Sequence, residues 1–154
     1  MAKARPVELD PRMTFAEAAS VTVATRSHEL FAHAGHVLDT SDIERVHDMR
    51  VASRRLRAAL EVFAPCFNKR DHRALLREVK QLAGALGARR DPDVQIAALE
   101  ELRAALPAED HPGLELLIGR EREAQAEGNI ALREALEAAL THDLRGRLEE
   151  LARP

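Results

Sequence analysis

The sequence has a single cysteine, no tryptophan and no tyrosine, so its only aromatic residues are four phenylalanines. One cysteine cannot form an intrachain disulfide, which excludes a disulfide-stapled fold and gives no sign of an oxidising compartment. Cys66 follows Pro65 and has no histidine beside it in a dyad pattern. We therefore interpret it as a small buried hydrophobe rather than a nucleophile. The shortage of aromatic side chains also disfavours a β-sandwich.

Long apolar runs and nucleotide-binding loops are missing as well. No stretch approaches the length of about 18 apolar residues that a membrane-spanning helix needs. Residues 1–13 lack the apolar segment of a signal peptide. No GxxxxGK[ST] loop is present to hold a nucleotide. We therefore expect a cytoplasmic protein with no membrane association, no cofactor and no enzymatic activity.

The composition favours helices. Of the 154 residues, 45% are apolar and 32% are charged, with much Ala, Leu, Glu and Arg. These residue types have high helix propensity. A chain of this length fits one domain with a sizeable core. We expect an all-α fold, with residues 1–13 as an N-terminal extension and residues 14–152 as one helical domain.

Capping and breaking signals divide this domain into five or six helices. Thr14–Glu17 and Ser41–Glu44 match the capping box that opens a helix. Pro65 ends the second helix, Gly87 is expected just after the third, and Asp91-Pro92 is expected to start the fourth. The expected helices cover about 15–37, 44–63, 69–86, 91–106, 112–140 and 143–152. Short connections favour an antiparallel bundle.

Charge is distributed unevenly along the chain. The net charge is −3, yet residues 45–90 hold 12 Lys/Arg against 4 Asp/Glu, a local balance of +8. The remainder is therefore at −11. A local basic field attracts anions even on an acidic protein.

Four basic groups share one face of the second helix. At about 100° per residue, His47, Arg50, Arg54 and Arg57 fall within an arc of about 80°, and the apolar side chains lie opposite. Glu61 is the one acid on the same arc. A charged helix face is often only solvated and paired with acids. Here the scarcity of acids favours anion binding, since arginine donates two parallel hydrogen bonds to phosphate.

The third helix repeats this design. Arg73, Arg77 and Lys80 fall on one face, opposite a row of leucine and valine residues. Two packed helices with such faces would border one shared groove. We therefore expect the second and third helices to present a single basic surface.

Two sequence blocks resemble a known family. Residues 46–57 read VHDMRVASRRLR and residues 80–94 read KQLAGALGARRDPDV. They resemble the patterns VHxMRVxxRRLR and KxLxxxLGxxRDxDV of the CHAD family, the conserved-histidine α-helical domain, and the resemblance spans about 15–151. It implies a helical bundle that binds inorganic polyphosphate in a basic channel, in the cytoplasm and in association with polyphosphate granules. The contact residues that the motifs imply are His47, Arg50, Arg54, Arg57, Lys80, Arg55 and Arg90.

Not all of these residues are expected to act alike. Arg55 lies off the basic arc and suits a packing or salt-bridge role. Arg90 is expected to pair with Asp91 or Asp93. Typical family members are about twice as long, with two similar halves, and no second motif block occurs here. The resemblance therefore implies a half-domain that forms a symmetric homodimer to complete the channel.

Three other functions fit parts of the sequence. A metal site would use His33 and His36, or Glu44 with His47, but arginine neighbours make His47 a poor host for a cation. A basic helix could enter a DNA groove, yet the lack of Trp and Tyr leaves few stacking platforms, so nucleic-acid binding is expected to be weak and non-specific. Phosphoryl transfer would need metal-binding acids at the basic surface.

Overall fold

A computed structural model describes residues 3–153. It contains five α-helices, which confirms the all-α expectation, and no strand occurs within the described range. The helices are α1 (Phe15–Ala32), α2 (Glu44–Val62), α3 (Lys69–Ala105), α4 (His111–Thr141) and α5 (Leu144–Leu151). Short 3-10 turns precede α3 and α4.

The first helix starts as predicted and stops early. The Glu17 N–H donates to Thr14 Oγ1 over 3.2 Å, and the Thr14 N–H donates to Glu17 Oε2 over 2.7 Å, so the capping box is present. The expected end at Val37 is wrong, since α1 ends at Ala32. The chain turns at His36, whose φ of 59° lies in the left-handed region and cannot continue a helix.

The second predicted capping box does not form. The Ser41 side chain donates to Asp39 Oδ1 over 2.7 Å instead, and α2 starts at Glu44 with Ile43 as its N-cap. The C-terminal end is close to the prediction, because α2 stops at Val62 and the 3-10 turn through Pro65 follows.

The third and fourth predicted helices are one continuous helix of 37 residues, α3. The roles of Gly87 as a C-terminal stop and of Asp91 as an N-cap are therefore wrong. Pro92 lies buried inside α3, where its lack of an N–H leaves the Ala88 carbonyl without its usual helical donor. The Arg89–Asp93 ion pair spans this break, and α4 packs along it, so tertiary contacts override the local stop signals.

The last two helices are predicted well. α4 passes through Gly128 to Thr141, and α5 starts after Asp143, whose side chain accepts from the Gly146 N–H. Gly128 allows the close approach of α3 and α4, because a Cβ there would lie 3.0 Å from the Ala88 carbonyl oxygen.

The main core lies where α1, α2, the first half of α3, the second half of α4 and α5 meet. Beyond Leu86 on α3 and before Leu132 on α4, the two helices extend from this core and pack against each other. Cys66 is half-buried rather than buried, with its sulfur 4.0 Å from the Phe15 carbonyl oxygen. The fully buried part of the core comprises Val23, Leu30, Val46, Met49, Ala52, Leu56, Leu60, Val79, Leu86, Leu132 and Leu148.

Candidate functional site: a basic groove between two helices

The basic and apolar faces of α2 separate as the periodicity predicts. Met49, Leu56 and Leu60 are fully buried. Arg54 is exposed, and His47, Arg50 and Arg57 are partly exposed. Because they follow one another at spacings of three and four residues, these four side chains lie on one side of the helix.

α3 has the same organisation. Arg73, Arg77 and Lys80 are exposed. The opposite side is part of the core, formed by Leu75, Val79, Leu82 and Leu86. The exposed face continues at the same spacing through Gly84 and Gly87, which add no side chain to it.

Polar contacts at both ends hold α2 and α3 antiparallel. At one end, Arg90 Nη1 donates to the Ile43 carbonyl oxygen over 3.3 Å. At the other end, His72 Nε2 lies 2.7 Å from the Leu60 carbonyl oxygen. This register places the two basic faces beside each other.

Between the two ends, two further contacts mark the surface that we call the basic groove. Lys80 Nζ on α3 lies 3.0 Å from Glu61 Oε1 on α2. Arg50 Nε on α2 lies 3.9 Å from the position that a Cβ on Gly87 would occupy. We use the name basic groove for the surface that these two contacts mark between α2 and α3, together with the basic faces of the two helices: Arg50, Arg54, Arg57, Arg73, Arg77 and Lys80.

Most of the cations of this groove have no anionic partner. Glu61 is shared by Lys80 and by Arg57, whose Nε lies 4.0 Å from the same oxygen. Within residues 3–153, no hydrogen bond or ion pair involves the side chains of Arg50, Arg54, Arg73 and Arg77. Four like charges therefore remain uncompensated on one surface, and they attract anions.

Two motif arginines are engaged elsewhere. Arg55 Nη1 lies 2.6 Å from Glu29 Oε1 and connects α2 to α1, which agrees with the predicted salt-bridge role. The expected pairing of Arg90 with Asp91 or Asp93 is wrong. Its partners are Glu44, 3.7 Å away, and the Ile43 carbonyl. Arg90 thereby holds the N-terminus of α2, the end that carries His47.

The Glu29 carboxylate is the buried centre of the α1–α2 contact. Its oxygens are 2.7 Å from Arg26 Nη1 and 2.6 Å from Arg55 Nη1. Burial by itself raises the pKa of Glu29, but the hydrogen bonds from Arg26 and Arg55 outweigh it, so the pKa lies below its ordinary value.

Sequence reasoning missed a buried polar network behind the groove. Arg89 and Asp93, both almost fully buried, form an ion pair. Gln125 donates to Asp93 over 2.7 Å, and Asn129 accepts from Arg89 and donates to the Leu38 carbonyl. The spacing of Arg89 and Asp93, one helical turn apart, is a signal that would have revealed the pair once α3 was known to be continuous.

The structure also changes the expectation for His47. Its ring lies in a cluster with Glu44 and Asp48, in which one ligand atom from each residue falls within 4.8 Å of the others. Carboxylates, not only arginines, therefore surround this histidine. The alternative metal site, His33 with His36 on one helix, loses its helical spacing, since α1 ends at Ala32 and His36 lies in a left-handed turn beyond it.

Comparison with known families gives a match to the model of the CHAD domain over residues 22–154. The chain belongs to the CHAD family. CHAD domains are helical and are known for binding polyphosphate. No curated protein and no solved structure matches the chain significantly. Within residues 3–153, none of the helices combines the length and the apolar character that crossing a membrane requires.

Proposed function

We propose that this CHAD domain binds inorganic polyphosphate in the basic groove and does not catalyse a reaction on it. The observation that carries the proposal is the set of four guanidinium groups on adjacent helix faces of an acidic protein that have no partner among the described residues 3–153. Like charges held close together repel each other, and a chain of phosphates relieves that repulsion along the whole groove.

The groove residues differ in how they would contact the ligand. Arg50, Arg54, Arg73 and Arg77 are available as they stand, and each planar guanidinium can bind phosphate oxygens in pairs. Arg57 and Lys80 would contribute when phosphate replaces Glu61 as their partner. His47, at the N-terminal end of α2, would donate a hydrogen bond. Arg55 and Arg90 would position α2 through Glu29 and Glu44.

A binding role without catalysis agrees with the acids around the groove. Phosphoryl transfer requires carboxylates that hold metal ions beside the phosphates. Glu61, the acid between the two helices, is already held by Lys80 and Arg57, and Glu44, beside His47 at the N-terminal end of α2, is held by Arg90. Release of orthophosphate from polyphosphate by the purified protein would refute this part of the proposal.

The experiment that tests the site replaces Arg50 and Arg54 with glutamate. The double variant should lose polyphosphate binding in calorimetric titration while its helical circular-dichroism spectrum is unchanged, because both side chains are outside the core. The matched control replaces Arg120 and Arg133, two exposed arginines of α4, with glutamate. It changes the net charge equally and should retain binding. Persistent binding by the groove variant would show that the site lies elsewhere.

We further propose that two chains form a symmetric homodimer. Typical CHAD proteins contain two similar halves, and this chain carries the motif blocks of one. The extended halves of α3 and α4 and the connection between them expose apolar side chains, which are common at protein interfaces: Val94, Leu102, Leu106, Leu116 and Leu117. Light scattering at micromolar concentration should give twice the 17.1 kDa chain mass. A monomeric mass would refute the dimer.

The cellular counterpart of this proposal is a cytoplasmic location at polyphosphate granules. A fluorescent fusion should colocalise with stained granules. Fluorescence that is spread evenly through the cell, in the presence of granules, would contradict it.

A divalent cation at Glu44, His47 and Asp48 is the second candidate function. The three residues occupy one turn of α2 and their ligand atoms converge. Imidazole with carboxylates suits ions such as Zn²⁺. Titration with Zn²⁺ should show one site that is lost in His47→Ala if this candidate holds. A calorimetric titration of the wild type with Zn²⁺ that gives no heat of binding would refute this metal site.

A further inference from the structure

Two glycines in the interior of α3 have no evident role in the fold. Gly84 and Gly87 lie mid-way along a 37-residue helix, where glycine lowers the ratio of folded to unfolded protein about fivefold relative to alanine. Neither has a positive φ. A Cβ on Gly84 would meet no atom within 4 Å, and one on Gly87 would meet only Arg50 Nε at 3.9 Å, an ordinary contact. Backbone geometry and packing would therefore accept alanine at both positions.

Their position relates them to the basic groove. Gly84 and Gly87 follow Lys80 by four and seven residues and so share its helix face. From the other wall, the Arg50 guanidinium reaches Gly87. The glycines therefore leave a stretch of the α3 surface without side chains, which follows Lys80 along the helix and adjoins Arg50 at Gly87; we refer to this stretch as the floor of the groove.

The lack of side chains at the two glycines determines which anions can approach the backbone of α3. A ligand over glycine can approach the helix backbone, and its attraction to Arg50 and Lys80 grows as the distance falls. A bare polyphosphate chain is narrow enough to lie on such a floor. The phosphates of a nucleic-acid duplex are carried on a wide cylinder, so they would contact exposed side chains such as Arg54, Arg73 and Arg77 without approaching the helix backbone at the two glycines.

We propose that Gly84 and Gly87 are specificity-determining residues of the basic groove, which admit a bare phosphate chain to the floor between Arg50 and Lys80 and keep duplex nucleic acid at the rim. This inference rests on the proposed binding of polyphosphate. In this proposal two uncharged residues, Gly84 and Gly87, make the groove bind polyphosphate in preference to duplex DNA, although the two ligands carry similar charge.

The test substitutes leucine for Gly84 and measures binding of long-chain polyphosphate and of duplex DNA. Gly84→Leu should weaken polyphosphate binding at least tenfold and leave the weak DNA binding unchanged. The matched control is Gly119→Leu on α4, an exposed position where a Cβ also meets no atom within 4 Å. The control should leave the affinity for both ligands unchanged.

A smaller substitution keeps the test decisive if the leucine variant does not fold. Gly84→Ala should raise the melting temperature by a few degrees through helix propensity and weaken polyphosphate binding about two- to fivefold. Unchanged polyphosphate affinity in the folded variants, or equal losses for both ligands, would overturn the glycine assignment alone. A wild-type protein that binds no polyphosphate would overturn the proposed function together with it.

Discussion

Glu61 is expected to oppose ligand binding, and its removal gives a quantitative test of the groove. Its carboxylate lies 3.0 Å from Lys80 Nζ and 4.0 Å from Arg57 Nε. A phosphate bound to either cation would lie roughly 4–6 Å from the carboxylate. At that distance two like charges in a water-exposed site repel by about 1 kcal/mol. Replacing Glu61 with glutamine should therefore tighten polyphosphate binding about fivefold.

The effect on the fold should be small. About half of the Glu61 side chain is exposed, and exposed ion pairs contribute roughly 0.2–1 kcal/mol to stability. Glu61→Gln should thus lower the melting temperature by only a few degrees. Since two cations become available to the ligand, the dependence of affinity on salt should become steeper.

The assay is calorimetric titration of the wild type and of Glu61→Gln with the same polyphosphate at two salt concentrations. Glu134→Gln, at an exposed position on α4, is the matched control for loss of one negative charge and should bind like the wild type. Unchanged or weaker binding by Glu61→Gln would refute the placement of the ligand between α2 and α3. A gain of equal size in the control would show only a general charge effect.

Three further predictions concern stability. The pKa of Glu29 is lowered in the folded protein, so its stabilising contribution is present above the ordinary value of 4.5 and is lost as the pH falls through the lower, folded-state pKa. Glu29→Gln should therefore lower the free energy of unfolding by about 1.5–3 kcal/mol at neutral pH. It should also make the melting temperature depend less on pH in the acid range. Gly128→Ala should lower the melting temperature, because its Cβ would press on backbone atoms at 3.0 Å. Gly119→Ala, in open space, should raise the melting temperature, and the opposite order would contradict this packing account. Asp93→Asn leaves Arg89 buried without its charged partner and should cost about 3–5 kcal/mol in urea unfolding, whereas a loss below about 1 kcal/mol would show that the buried pair is not needed.

The helical periodicity predicted which side chains of α2 and α3 are exposed and which are buried, because it depends on spacing alone. The buried positions of Leu56 and Leu60 and the exposed position of Arg54 follow from a repeat of 3.6 residues. The same rule grouped Arg73, Arg77 and Lys80. Local caps with satisfied hydrogen bonds, such as Thr14 with Glu17, were predicted equally well.

Features that depend on tertiary contacts were predicted poorly. Gly87 and Pro92 are strong local signals for a helix end, yet α3 continues through both because α4 packs along it and Arg89 pairs with Asp93. Ser41 has the residue type of a cap, but its hydroxyl donates to Asp39. In each case a contact that was not visible in the local pattern decided the outcome.

The register between α2 and α3 could not be predicted from the sequence either. Glu61 was recognised on the basic arc, but its pairing with Lys80 requires the two helices to be placed side by side. The position of Arg50 above Gly87 is another consequence of this placement. The sequence thus predicts which residues carry charge and which face they share, whereas the structure shows which of these cations have an anionic partner within residues 3–153.

The most direct measurement is calorimetric titration of the wild-type protein with long-chain polyphosphate at two salt concentrations, beside duplex DNA of equal total charge. A polyphosphate module should bind polyphosphate tightly, lose affinity as salt rises, and bind the DNA much more weakly. Absence of polyphosphate binding by the folded protein, or equal affinity for the two polyanions, would contradict the account.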